Sequence, residues 1–335
     1  MAVVTFDERL RALESLRLTP RQTRFVATVA LHSGYCLRRQ YMAFAGLQYG
    51  KVVREFLDGL VARRLAVRIA YRTDRGFLYH MHARSIYRAL QQDDNRNRRT
   101  TSPALIGRKL MMLDFVIGEP DAEWYATETD KVELFTTRFG ISVSDLPQVT
   151  YAPYDQRMAP TTRYFTHKLP IFLKGEPPTV HFAALALEPA TVSFERFLAD
   201  HARLLHRLSA WAIVLVGPRG GESVAACRAV FARYLNDVSS SPVLDLHAAA
   251  RYFALRRSVE RNDLAALSVA DLNYAREARQ RFTGPASEAI YARWLVNGDA
   301  ALELEKNPSQ RTSGSLVHHE LPFRYEQFGD LPGVC

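Results

Sequence analysis

Apolar positions in the first ninety residues change period twice, and the changes mark out elements. After Thr19-Pro20, a cap residue followed by proline, Phe25, Val26, Val29 and Ala30 recur at helical spacing until Ser33-Gly34 stops the run. Residues 37–45 fit a second, short helix ended by Gly46. A third is expected to begin near Gln48, with Val52, Val53, Phe56, Leu57, Leu60 and Leu65 on one face and Arg63-Arg64 in its last turn, where cations suit the helix dipole. The period then falls to two. Residues 66–71 and 77–82 alternate on either side of Thr73-Asp74-Arg75-Gly76, which predicts a β-hairpin, and a closing helix follows over about 83–91.

Residues 93–103 are polar and aperiodic and read as a hinge or exposed loop. A helix is expected over about 103–117, then strands over 163–173 and 179–187. The second strand is almost wholly apolar and therefore central. A helix over 193–208, a strand over 211–216 and a helix over 222–235 complete an α/β pattern. Residues 244–304 read as helical, and 308–335 as a tail with little periodicity. The predicted class is α+β. A winged helix-turn-helix over 1–95 is followed by a linker and connecting helix over 96–120, an α/β domain over 121–242, and a helical region with a tail over 243–335.

Charge sharpens this division. Residues 1–110 hold 21 Lys and Arg against 8 Asp and Glu, a net of +13, while the remaining 225 carry a net of −4. A strongly basic unit points to a polyphosphate partner, and three helices followed by a hairpin point to duplex DNA. In that arrangement the start of the third helix faces the bases, which nominates Gln48, Tyr49, Lys51 and Arg54. Arg72 and Arg75 fall at the hairpin tip, and Arg21, Arg24, Arg38 and Arg39 are candidates for phosphate contacts. The unit is expected to fold and bind by itself, and the whole chain to act as a homodimer.

Other chemistry finds little support. Gly217-Pro218-Arg219-Gly220-Gly221-Glu222-Ser223 sits between a strand and a helix, but Glu222 occupies the place where a phosphate loop needs Lys. His318-His319-Glu320 lacks a partner set for metal and reads as a solvated loop, and His201 reads as a core histidine. Cys36, Cys227 and Cys335 show no zinc spacing, and an odd, scattered set suits a reducing cytoplasm. No apolar run is long enough to span a membrane. No catalytic residue, metal or cofactor is expected, and a small-molecule or protein effector is left open.

The opening Leu18-Thr19-Pro20-Arg21-Gln22 together with the hairpin resembles the N-terminal domain of the replication-relaxation family. Two strands followed by a crossing helix resemble the skeleton of restriction-endonuclease-like nucleases, which set an acid on one strand and acid-x-Lys on the next. Here those places hold Pro170-Ile171 and Glu188-Pro189-Ala190, so the resemblance implies a degenerate nuclease-like domain. Together the resemblances imply a non-enzymatic, sequence-specific DNA-binding protein of a bacterial mobile element, a transcriptional regulator in the cytoplasm on the nucleoid. The alternatives are a plasmid-type replication initiator, or a DNA-processing nuclease using Glu188, Glu195 or Asp200.

Overall fold

Thr19 and Pro20 start a helix where the sequence predicts one. In a computed structural model, which describes residues 4–71, 76–152, 160–166, 169–187, 190–218, 223–240, 246–263, 267–282, 285–303, 313–323 and 325, a short helix α1 (Phe6–Ala12) precedes α2 (Pro20–His32). The Thr19 hydroxyl accepts from the Gln22 N–H, and the Gln22 side chain accepts from the Thr19 N–H, a reciprocal cap. Next come β1 (Tyr35–Leu37), α3 (Arg38–Ala45), α4 (Lys51–Ala62), β2 (Ala66–Tyr71), β3 (Gly76–Met81) and α5 (Arg84–Ala89). β3 lies between β1 and β2 and runs antiparallel to both. Tyr41 joins the helices, its ring centroid 4.9 Å from Phe25 and 4.3 Å from Phe56.

Two expectations change here. The third helix starts at Lys51, because Gly46 turns left-handed after α3 and Gly50 is extended; Gln48 and Tyr49 lie in the connection. The 93–103 segment is pinned instead of serving as a hinge. The Asn97 amide donates to the Ala30 and Leu31 carbonyls at 3.0 Å each, satisfying the end of α2. Lys109 donates to Asn97 Oδ1 at 2.6 Å and to the Ser33 carbonyl at 2.9 Å. Asn97 passes so close to Gly34 that a Cβ there would lie 2.2 Å from its carbonyl oxygen, and Gly34 has φ +78°. Only glycine satisfies both conditions.

After this clasp, α6 (Pro103–Gly118) leads into the sheet region. There follow β4 (Glu123–Tyr125), α7 (Glu128–Glu133), β5 (Gln148–Tyr151), β6 (Thr161–Tyr164), β7 (Ile171–Lys174), β8 (Thr179–Leu185), α8 (Ala190–Arg207), β9 (Ala210–Pro218) and α9 (Ser223–Ser240). The stretch expected as one strand over 163–173 is two, β6 and β7, parted by Phe165 at φ +50° and by Pro170. The expected tail contains β10 (Ser313–Leu321), which runs parallel to β9. The five-stranded sheet has the order β10-β9-β8-β7-β4; β8, β9 and β10 are parallel, while β7 runs antiparallel to β8 and β4. Alternation divides its faces. Phe182, Ile213 and Leu215 pack with Phe197, Leu204 and Phe231 of α8 and α9; Phe172, Ala183, Val214 and Val216 pack with Ile106, Leu110 and Phe115 of α6.

The boundary expected near residue 95 is therefore not a break in packing. Residues 1–235 and 312–335 form one compact unit. Tyr35, Leu37 and Leu78 share a core with α6 and the sheet, and Leu113 of α6 enters the core formed by α2, α3 and α4. Arg9 of α1 makes a buried bidentate ion pair with Asp130 of α7, at 2.6 and 2.9 Å. A fragment ending at residue 110 would lose both Leu113 and Asp130, so it is not the self-contained unit that its charge suggests.

The second compact unit, residues 236–311, is helical as expected: α10 (Leu246–Glu260), α11 (Val269–Arg281), α12 (Pro285–Asn297) and α13 (Ala300–Glu303). Tyr252, Phe253, Phe282, Tyr291 and Trp294 fill its core. Arg256 ties α10 to α12 through Glu288 at 2.7 Å and covers the Tyr291 ring at 4.0 Å. The fold as a whole is mixed α and β with a helical C-terminal region, and no helix among the described residues is long and apolar enough to cross a membrane.

Two outcomes follow from this packing. Asp130→Asn should lower unfolding free energy in urea by about 3 kcal/mol, because it leaves Arg9 buried beside a neutral amide. His80 is buried, stacked on Tyr35 at 4.2 Å, with Nε2 3.1 Å from the Asn97 carbonyl. Burial pushes its pKa down to about 4, so the folded chain refuses a proton that the unfolded chain accepts near pH 6.5. Its contribution is complete above pH 6.5 and is lost as pH falls towards 4, at up to about 1.4 kcal/mol per pH unit. Unfolding curves of His80→Phe should show a shallower decline over that window.

Candidate nucleic-acid interface

The basic residues of the N-terminal region separate into structural and surface groups once their partners are known. Arg39, a predicted phosphate contact, belongs to the first. Its guanidinium donates to both Asp114 oxygens, at 2.6 and 2.8 Å, and lies 3.5 Å from the centroid of the Phe323 ring. The Tyr325 hydroxyl donates to the same carboxylate at 2.5 Å. Arg39 is thus a clamp between α3, α6 and the segment after β10, and its charge is already answered. Gln40 adds to the clamp: its side chain accepts from the Leu37 N–H and donates to the Leu110 carbonyl. Arg63 likewise donates to the Leu16 carbonyl.

The remaining candidates surround the start of α4. Lys51 and Arg54 are exposed on its first turn and a half, where backbone N–H groups and the helix dipole also favour an anion. Arg54 has no ionic partner among the described residues, and Lys51 pairs only loosely with Glu55 at 3.7 Å. Val52 between them is 55% exposed. Gln48 and Tyr49 are exposed just before the helix. Arg38 lies over the Tyr49 ring at 4.7 Å, a cation–π contact at the helix entrance. Arg21 donates to the Ala45 carbonyl at 3.4 Å, and Arg24 lies over Phe6 at 5.6 Å; both side chains are exposed on α2. Arg72 and Arg75 lie outside the described residues.

Lys51, Arg54, Arg38, Tyr49 and Arg21 thus gather on or beside three elements: the start of α2, the start of α3 and the entrance of α4. Glu55 and Asp58 stand farther along α4, and Asp58 is paired with Arg68 at 3.8 Å. The surface is cationic at the helix start and mixed beyond it. Val52, which helical spacing groups with the buried Val53 and Phe56, stands exposed on α4 instead.

The sheet region offers less. His201 is a core histidine as expected, buried against Phe197 with Nδ1 2.9 Å from the Phe197 carbonyl. His318, His319 and Glu320 lie on β10 instead of in a loop, so successive side chains point to opposite faces. Of the carboxylates considered for nuclease chemistry, Glu195 pairs with Arg233 at 2.6 Å and Asp200 with Arg196 at 3.8 Å, while Glu188 lies outside the described residues. Ile171, Phe172 and Phe182 on the two core strands are buried and apolar. No group of three or more His, Cys, Asp or Glu placed to hold a metal occurs among the described residues. A polar cleft of about 660 Å³ is bordered by Arg88, Arg96 and Arg163, but Asp93 pairs with Arg84 and Arg88, and Glu128 with Arg163. Cys36 and Cys227 are buried and carry free thiols whose pKa is raised by burial. Gly217 and Pro218 end β9, α9 begins at Ser223, and residues 219–222 lie outside the described residues.

No protein-family model matches the chain, and neither a curated protein nor a solved structure is similar to it.

Proposed function

We propose that this chain is a sequence-specific double-stranded DNA-binding protein that regulates transcription on a mobile element. The observation that carries the reading is the connectivity inside the +13 region. α2, β1, α3, α4, β2 and β3 follow in the order of a winged helix, with β3 between β1 and β2. In that arrangement α4 enters the major groove and the β2–β3 hairpin touches the flanking backbone. Lys51 and Arg54 are then the base readers, and Val52 suits a thymine methyl group. Arg21, Arg24 and Arg38 are positioned for phosphates. Arg39 acts one step back, by fixing α3 against α6. The resemblance of Leu18–Gln22 and the hairpin to the replication-relaxation family supports a mobile-element setting.

Selection of bound duplexes from a random pool, using the whole chain, should return one preferred site. Arg54→Ala should then reduce discrimination between that site and random DNA by about 1–3 kcal/mol, and affinity for both should fall steeply with added salt. Binding that ignores salt, or a site preference untouched by Arg54→Ala, would sink this assignment. A palindromic site favours a regulator; tandem repeats would favour replication initiation.

A nuclease reading has one observation in its favour. β4, β7 and β8 lie side by side and antiparallel, and α8 then crosses to β9, parallel beside β8. Against it, Pro170-Ile171 stand where the first acid would be, and after the lone acid Glu188, Ala190 stands where the lysine would fall. Plasmid DNA incubated with the protein and Mg²⁺ or Mn²⁺ should remain intact on a gel. Cleavage abolished by Glu188→Gln would put the nuclease reading first.

A further inference from the structure

β10 is the outermost strand of the five-stranded sheet, and no strand among the described residues pairs with its outer edge. The Ser313 N–H donates to the Ser209 carbonyl, so odd-numbered residues of this parallel pair bond towards β9. Gly314, Leu316 and His318 therefore turn their N–H and C=O groups outward, where they have no partner among the described residues. An open edge is a template for another strand, and proteins normally guard it with Lys, Pro or a bulge. Residues 313–321 contain neither Lys nor Pro, and the β9 pairing is unbroken over all nine. In the middle sits Val317, an apolar side chain 48% exposed.

We propose that this edge joins two copies of the chain, strand against strand, about a two-fold axis through Val317. Hydrogen-bond direction restricts the choice of register. Only outward-facing residues can exchange bonds, so Leu316 must face Gly314 of the partner subunit, Leu316 of the partner subunit, His318 of the partner subunit or Glu320 of the partner subunit. With the axis at Val317, Leu316 faces His318 of the partner subunit, and four backbone hydrogen bonds close around the axis. Val317 then faces Val317 of the partner subunit in a non-hydrogen-bonded pair, where Cβ atoms come closest and apolar contact contributes most. An axis at His318 would set two imidazoles opposite each other, and one at Leu316 would set Val317 opposite Ser315 of the partner subunit. In the Val317 register no like charges meet, because Glu320 faces Gly314 of the partner subunit. The contact is isologous and self-limiting, a closed dimer and not a fibre.

The test uses the full chain without DNA, so its outcome is independent of the DNA-binding reading. Sedimentation equilibrium at micromolar concentration should give twice the 38.0 kDa chain mass. Val317→Lys sets two ammonium groups on the axis and should weaken association at least about tenfold, whereas Val149→Lys, exposed on β5, should leave it unchanged. In a Cys335→Ser background, Val317→Cys should form a disulfide-linked dimer on mild oxidation, and Ser313→Cys, paired with Leu321 of the partner subunit, should not. A monomer at every concentration overturns the proposal, whether or not the edge captures an extended peptide of another protein. A dimer that Val317→Lys leaves intact, or that Val317→Cys fails to cross-link, overturns it equally.

Discussion

Helix α6 is buried against two cores at once, and the larger unit depends on that constraint. Leu113 enters the core of α2, α3 and α4, while Ile106, Leu110, Met112 and Phe115 cover one face of the five-stranded sheet. A helix apolar on both sides has no register in which one side can be exposed cheaply. Asp114 is the polar exception. Its carboxylate is buried and is tolerable there because Arg39 and Tyr325 supply three hydrogen bonds. The same contact fixes α3, and α4, which carries Lys51 and Arg54, packs on α3 through Tyr41 and Phe56.

This arrangement changes what the charge asymmetry means. A net of +13 over 110 residues describes a field, and the field remains whatever the individual arginines do. Arg9, Arg39 and Arg63 contribute to that count while serving as internal ties to Asp130, Asp114 and Leu16. The cations left to meet an anionic partner are fewer, and they collect where α4 begins. A chain that spends part of its basic residues on its own core joins the basic region to its neighbours more firmly than charge composition alone indicates.

The N-terminal elements were legible because their signals are local. A capping box at Thr19, a glycine after α3 and a strict alternation on either side of a turn act within a few residues of themselves. The apolar run of β8 likewise predicted a central strand, since both faces of the sheet are covered. β1 and β4 escaped because three residues cannot display a period, and β10 because its alternation is masked by Gly314, His318 and His319. Gly314 itself is dictated by a neighbour 103 residues earlier, since a Cβ there would lie 2.5 Å from the Trp211 ring.

The sequence by itself determined which segments become helix or strand over most of the chain, where the basic charge lies, and that the strands resembling a nuclease core lack a pair of acids. Those properties depend on residue type and near-neighbour spacing. Only the tertiary structure decided that residues 93–103 are a clasp, that Arg39 is internal, and that the last strand returns to the sheet edge. Each of these rests on partners 67 to 104 positions apart, as with Asn97 to Ala30, Arg39 to Asp114 and Ser315 to Trp211. Pairings at that range follow from how whole cores pack together, and no window of sequence contains both partners.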